Sequence, residues 1–321
     1  MTTCRYSSVL SGILGLYLVL LPGCTPPVTP GFYGEYQTAS CKLWDFPAAK
    51  TTCNGVLYFP TEDGVTLAPS ATPCPVLLFF PGYLEPPVFY RSYGQQAASW
   101  GYVMLIAHFT GLFDRDAEED MEDLFQWLRT HNAARGVLAG KLDLTRVGVA
   151  GQSIGGKYAL MASLKEPSIG AVVGFDPVDG SAGFLPPTSL FCSFTPELMP
   201  QVLAPACFLG SETAGPLNPA EENYHEFFRY ATSCLAEEVL VHDTDHASFV
   251  DDYAGLAQEV YDLLFGGHPT DDNLAKNVAA RYMIAWFNVF LLDKTEFWTY
   301  LTGDKAMEDV ASGSVSIKTN F

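Results

Sequence analysis

Positive charge is what this 321-residue chain has least of: 17 Lys and Arg stand against 36 Asp and Glu, a formal net charge of −19. Phosphate backbones and anionic headgroups are gripped by Lys and Arg, so nucleic acid is excluded as a partner and purely electrostatic membrane attachment is disfavoured. Charge of either sign is sparse, at 17% of residues, whereas 48% are hydrophobic and 13% aromatic. Such a chain collapses onto a core and is not disordered. There is no C-x-x-C pair and no His at ligand spacing from a Cys, which removes the zinc reading of the cysteines; no metal and no cofactor is expected.

The first residues have the features of an export signal: Arg5, the apolar run Ile13 to Leu21, then Pro22-Gly23-Cys24. That run is too short to span a bilayer comfortably. Leu21-Pro22-Gly23-Cys24 resembles a bacterial lipobox, with Cys24 as the lipidated residue, although Pro in its second position is unusual. Residues 1–23 therefore read as a signal peptide, 24–34 as a Pro-rich tether and 35–321 as a single domain. The expected location is outside the cytoplasm: a periplasmic or cell-surface lipoprotein held to a membrane through Cys24, or a secreted protein. The exported body keeps six cysteines, Cys41, Cys53, Cys74, Cys192, Cys207 and Cys234. An even set in an oxidising compartment predicts disulfides, with the pairing open.

Along the body, strand and helix signals alternate. Gly55 to Phe59 and the fully apolar Pro75 to Phe80 read as strands, as do Tyr102 to Ala107, Arg146 to Ala150, Ile169 to Phe175, Ala206 to Leu209 and Glu238 to His242. Helices are expected at Gln95 to Trp100, Glu118 to His131, Ile154 to Leu164, Tyr253 to Phe265 and Ala275 to Leu292. Alternation of this kind predicts an α/β fold with a mostly parallel central sheet and helices on both faces.

The segment richest in chemistry is Gly151-Gln152-Ser153-Ile154-Gly155-Gly156, a G-x-S-x-G motif with an apolar strand before it and a helix-forming run after it. A sharp strand-to-helix turn lifts the central serine above the sheet, and the helix N-terminus beneath it favours developing negative charge. The plain alternative is a glycine-rich loop with a capping serine. A serine hydroxyl needs a histidine base, itself oriented by a carboxylate, in the chain order Ser, acid, His. His108 and His131 come too early for that order. His246, in the polar loop after Glu238 to His242, has the required place. His225 reads as a helix residue, His242 as a strand end and His268 as a loop residue. For the acid, Asp176 ends one strand and Glu212 follows the next. Backbone N–H groups of Ile154 and of Tyr83, in the turn Pro81-Gly82-Tyr83, are placed to form an oxyanion hole.

These stretches resemble a chlorophyllase-type α/β-hydrolase, over about Pro75 to Leu292. The resemblance is carried by Phe79-Phe80 before the oxyanion glycine, Ala98-Ser99-Trp100-Gly101-Tyr102, the elbow through Lys157, and Gly174-Phe175-Asp176-Pro177-Val178-Asp179-Gly180. Asn223 to Phe228 and Asp245 to Asp252 also fit. The family's triad acid lies in a phrase like that around Asp176, so the resemblance implies Asp176 over Glu212. Family members carry His where this chain has Pro81 and Gln152, and Pro81-Gly82-Tyr83 is similar to bacterial cutinases and polyester hydrolases.

The expected activity is serine carboxylic-ester hydrolysis through an acyl-enzyme, chlorophyllase-like, on a hydrophobic small-molecule or polymeric ester. Alternatives are a cutinase, lipase, polyester hydrolase or platelet-activating-factor-acetylhydrolase-like esterase, and, in another class, a non-catalytic exported binding protein. The substrate site is expected to include Tyr83, Phe89 and Tyr90 near the oxyanion turn, and Phe184 and Leu185 in the apolar loop after Asp176. The elbow and that loop are nearly uncharged, which favours a neutral, lipophilic ester.

Overall fold

The structure, a computed structural model, describes residues 32–46, 53–83, 85–108, 114–134, 136–180, 192–251 and 272–321. The signal peptide, Cys24, most of the tether, Phe184, Leu185 and the helix expected at Tyr253 to Phe265 lie outside the described residues.

Among the described residues, nine strands make one sheet: β1 Gln37–Phe46, β2 Cys53–Thr61, β3 Cys74–Phe80, β4 Val103–His108, β5 Leu142–Gln152, β6 Ile169–Phe175, β7 Ala206–Ser211, β8 Ala236–Val241 and β9 Val315–Thr319. Their order across the sheet is β1-β2-β4-β3-β5-β6-β7-β8-β9. From β4 to β8 every pairing is parallel. β1, β2 and β9 are added antiparallel at the two sides. The central strands are buried on both faces, which explains why β3 has no polar position.

Six helices are described: α1 Arg91–Ser99, α2 Asp114–Ala133, α3 Ile154–Lys165, α4 Tyr224–Tyr230, α5 Asp272–Leu292 and α6 Asp304–Ala311. Side chains of β3 alternate between two cores, as the strand period of two requires. Val76, Leu78 and Phe80 pack with Met121, Leu124 and Leu128 of α2, Leu160 of α3 and Phe227 of α4. Leu77 and Phe79 pack on the other face with Tyr93 and Ala97 of α1 and Met283, Trp286 and Phe287 of α5. This is the expected α/β-hydrolase architecture. Among the described residues, no helix is long and apolar enough to cross a membrane.

Phe32 to Gly34, assigned by sequence to the end of the tether, pack against the body. The Phe32 ring stacks on Trp100 at 4.9 Å, the Trp100 indole N–H donates to the Phe32 carbonyl at 2.9 Å, and Gly34 N–H donates to Ser99 Oγ at 2.8 Å. The chain therefore joins the sheet at the end where the parallel strands begin, because Ser99 and Trp100 immediately precede β4.

The disulfide expectation needs correction for the thiols that are described. Cys41, Cys74, Cys192, Cys207 and Cys234 are free. Cys74 on β3 and Cys207 on β7 are wholly buried, and β5 and β6 separate their strands; a disulfide needs Cα atoms within about 7 Å. Both serve as small apolar core residues, and burial pushes each thiol up, that of Cys74 to about 12. The Cys53 side chain lies outside the described part.

Candidate active site

β5 ends at Gln152 and α3 begins at Ile154, so Ser153 alone makes the turn between them. Its backbone has φ 56° and ψ −129°, a left-handed conformation that costs a non-glycine residue about 1–3 kcal/mol and persists only when its surroundings impose it. The surroundings here are tight. A Cβ at Gly151 would lie 2.1 Å from the Gly155 carbonyl oxygen, and one at Gly155 would lie 2.0 Å from that of Phe80. Ser153 N–H donates to Phe175 O at 3.0 Å, and its own carbonyl accepts from Gly156 at 2.9 Å and Val178 at 3.1 Å. The strained turn is thus locked to β6 and to the loop that follows it.

His246 opens a 3-10 turn, His246–Phe249, after β8. Asp245 caps this turn by accepting from Ala247 and Ser248 backbone N–H, while Ser248 Oγ accepts from Asp245 N–H. Desolvation pushes the Asp245 carboxyl up against those hydrogen bonds. The loop is anchored further along: Tyr93 Oη donates to Phe249 O at 2.8 Å, and the Asp251 carboxylate accepts from Ser92 N–H at 2.8 Å and Ser92 Oγ at 2.5 Å at the start of α1. Asp245 and Asp251, two of the acids around His246 in sequence, are therefore spent on local structure.

In this frame Ser153 Oγ lies 2.9 Å from His246 Nε2, and His246 Nδ1 lies 2.7 Å from Asp176 Oδ2. Asp176 is fully buried and has positive φ, 41°, just past β6. Its Oδ2 also accepts from Ser211 Oγ at 2.8 Å and Asn218 Nδ2 at 2.9 Å, and its Oδ1 from Ser211 N–H at 3.1 Å. Glu212, the other acid weighed from sequence, turns away: it pairs with His242 Nδ1 at 2.9 Å and with Asp243 N–H at 2.9 Å. The Asp243 and His242 bonds hold its carboxyl below the usual range.

The remaining sequence-derived residues divide. Ile154 stands at the first position of α3 beside Ser153, and Tyr83 is half-buried after Gly82 with its phenol pushed up by burial. Phe89 is half-buried. Tyr90 is a correction: it is wholly buried, its ring 4.7 Å from Phe79 and its hydroxyl 3.0 Å from Gln152 Oε1, so it braces the turn and cannot line a substrate surface. Ser211 and Asn218 have no signal in the sequence, and Gln152, there a departure from the family pattern, gains a structural partner in Tyr90. Among the described residues, no three His, Cys, Asp or Glu side chains converge to hold a metal ion.

A strained serine at a strand-to-helix turn, in contact with an imidazole that a buried carboxylate orients, is the arrangement required for nucleophilic attack on a carbonyl. The chlorophyllase family profile matches residues 50–316. The chain belongs to the chlorophyllase family. It is similar to chlorophyllase-1 of Arabidopsis thaliana, with 24% identity over 210 residues, 60% of this chain and 64% of that protein. The match thus spans a little less than two thirds of the plant protein's length. At the two positions where the resemblance implies His, this chlorophyllase-family chain has Pro81 and Gln152.

Proposed function

We propose that the protein is a serine carboxylic-ester hydrolase that works through an acyl-enzyme on a neutral, hydrophobic ester. Ser153 Oγ attacks the ester carbonyl while His246 Nε2 takes its proton, and Asp176 holds the imidazole with its Nδ1–H inward and balances the imidazolium that forms. The tetrahedral oxyanion is received by the backbone N–H groups of Ile154 and Tyr83. Collapse expels the alcohol, which His246 protonates; water, activated by the same imidazole, then releases the acid and restores Ser153.

The observation that carries this reading is the continuous contact Ser153–His246–Asp176, at 2.9 Å and 2.7 Å, on a positive-φ elbow. Lipophilic substrate preference is supported by family membership, by the net charge of −19, which repels anionic esters, and by half-buried Tyr83 and Phe89 beside the turn. The substrate class extends to long-chain alcohol esters, of which the chlorophyll named in the plant relative is one. The signal-like N-terminus supports export, with Cys24 as the lipidated residue.

A fluorophosphonate probe tests the nucleophile: wild type is labelled and Ser153→Ala is not, whereas equal labelling of both overturns the assignment. Nitrophenyl esters of graded acyl length, run beside chlorophyll and a polyester film, rank the substrates. Absence of turnover on all of them returns the protein to the class of binding proteins.

A further inference from the structure

Behind the Gly82-Tyr83 turn, three buried polar side chains meet: Glu85, 5% exposed, Tyr90, 0%, and Gln152, 1%. We propose that they form a directed hydrogen-bond chain, headed by a protonated Glu85, that positions both the oxyanion turn and the His246 imidazole. Its catalytic consequence rests on the ester-hydrolase reading; its proton placement does not.

The direction follows from donors and acceptors. Gln152 Nε2 donates to the His246 backbone carbonyl at 3.2 Å, and it lies 3.4 Å from His246 Nε2. A flipped amide would set two oxygens against each other there, so Gln152 Oε1 faces Tyr90 Oη, at 3.0 Å. Tyr90 Oη also accepts from Gly82 N–H at 3.2 Å and is in contact with Glu85 Oε2. The phenol has one proton, yet an oxygen of Glu85 and an oxygen of Gln152 both flank it. Were Glu85 ionised and the phenol proton turned to it, Tyr90 Oη and Gln152 Oε1 would face each other with lone pairs in a buried site, which is strongly unfavourable. A proton on Glu85 removes the conflict: Glu85 donates to Tyr90, Tyr90 to Gln152, and Gln152 to the His246 carbonyl.

Gly82 is the turn residue that makes room for this meeting. A Cβ on it would lie 2.4 Å from Glu85 Oε2 and 2.5 Å from Gln152 Oε1. Because Gly82 N–H is directed at Tyr90, the phenol holds from behind the turn that carries the Tyr83 amide. At its far end the chain touches His246 beside the nitrogen that Ser153 approaches. Glu85, Tyr90 and Gln152 are positioning residues, acting on the reacting groups through the turn and the imidazole.

The proton is tested independently of activity: the infrared difference spectrum of wild type against Glu85→Gln should contain the carbonyl stretch of a protonated carboxylic acid. Absence of that band overturns the proposal. With nitrophenyl butyrate, Tyr90→Phe and Gln152→Met should each lower kcat about tenfold, the size of one buried hydrogen bond lost from the transition state, with KM within about twofold. The double variant should lose no more than the worse single one. Glu85→Leu should show a similar loss, and Glu85→Gln, a neutral donor of nearly the same shape, should recover most of it. Additive losses, an unchanged kcat, or a Gln variant as impaired as Leu overturn the chain. If Ser153→Ala hydrolyses the ester as fast as wild type, the Ser153 mechanism fails instead, and the infrared band alone decides where the proton resides.

Discussion

Ser211 grips both oxygens of Asp176, with its backbone N–H on Oδ1 and its hydroxyl on Oδ2, from the neighbouring strand β7. The carboxylate facing His246 is therefore fixed in rotation by a strand end, with Asn218 closing on Oδ2 from the following loop. Replacing either partner frees the carboxylate to swing and leaves a buried acceptor short of a donor. Ser211→Ala and Asn218→Ala should each lower kcat about fivefold to tenfold, the effect of about 1 kcal/mol of lost orientation, while KM for nitrophenyl butyrate stays nearly constant.

The two acids weighed from sequence separate cleanly in a kinetic comparison. Asp176→Asn retains the shape but removes the charge that orients the imidazole and balances its positive form, and kcat should fall about 10³ to 10⁴-fold, as is usual for loss of a triad carboxylate. Glu212→Gln, at an exposed site bonded to His242, should leave kcat within about twofold. Equal losses in the two variants would contradict the assignment.

Glu237 lies in the core between β8 and α5, fully buried, with neither carboxyl oxygen hydrogen-bonded to a described residue. Desolvation pushes it up to about 9 from an ordinary 4.5. Below 4.5 both folded and unfolded chains hold the proton and nothing is lost. Between the two values only the unfolded chain releases it, so folding stability falls as pH rises, by about 1.4 kcal/mol per pH unit at most. Glu237→Gln should remove this slope: its denaturation midpoint should match wild type near pH 4.5 and exceed it increasingly toward pH 9.

Lys157 is a buried cation, 1% exposed on α3, that bonds Asp114 at 2.7 Å and the carbonyls of Asp179 and Cys192 at 2.8 Å and 2.6 Å, with Asp179 Oδ1 at 3.3 Å. One ammonium thus ties the start of α2 and the chain after Asp176 to the elbow helix. Lys157→Met would strand two buried carboxylates, and urea unfolding should show a loss of about 3–5 kcal/mol, the usual result of removing one partner from a buried ion pair.

The elbow was legible in the sequence because its determinants are local: glycines two residues either side of a serine, a strand before and a helix after. His246 was legible for a similar reason, since chain order and a polar loop after a strand suffice. Asp176 and Glu212 could not be separated on residue pattern, because the choice depends on which strand end comes within reach of His246, a distance no local pattern encodes. Tyr90 looked like a surface aromatic next to Phe89, yet it is turned inward by partners far away in sequence, Gln152 among them. Strands β1 and β9 were missed for a different reason. Both sit at the sides of the sheet: β1, Gln37–Phe46, starts with five small or polar residues and has no regular alternation, and β9, Val315–Thr319, alternates Val, Ser, Ile and Lys over too few residues to stand out. The cysteines were misjudged because an even count says nothing of position, and Cys74 and Cys207 point into the core.

The docking of Phe32 and Gly34 on Ser99 and Trp100 places the start of the described chain at the end of the sheet where the parallel strands begin, opposite the end that carries Ser153, Asp176 and His246. A tag joined at Phe32 itself would meet the body on the side remote from the serine.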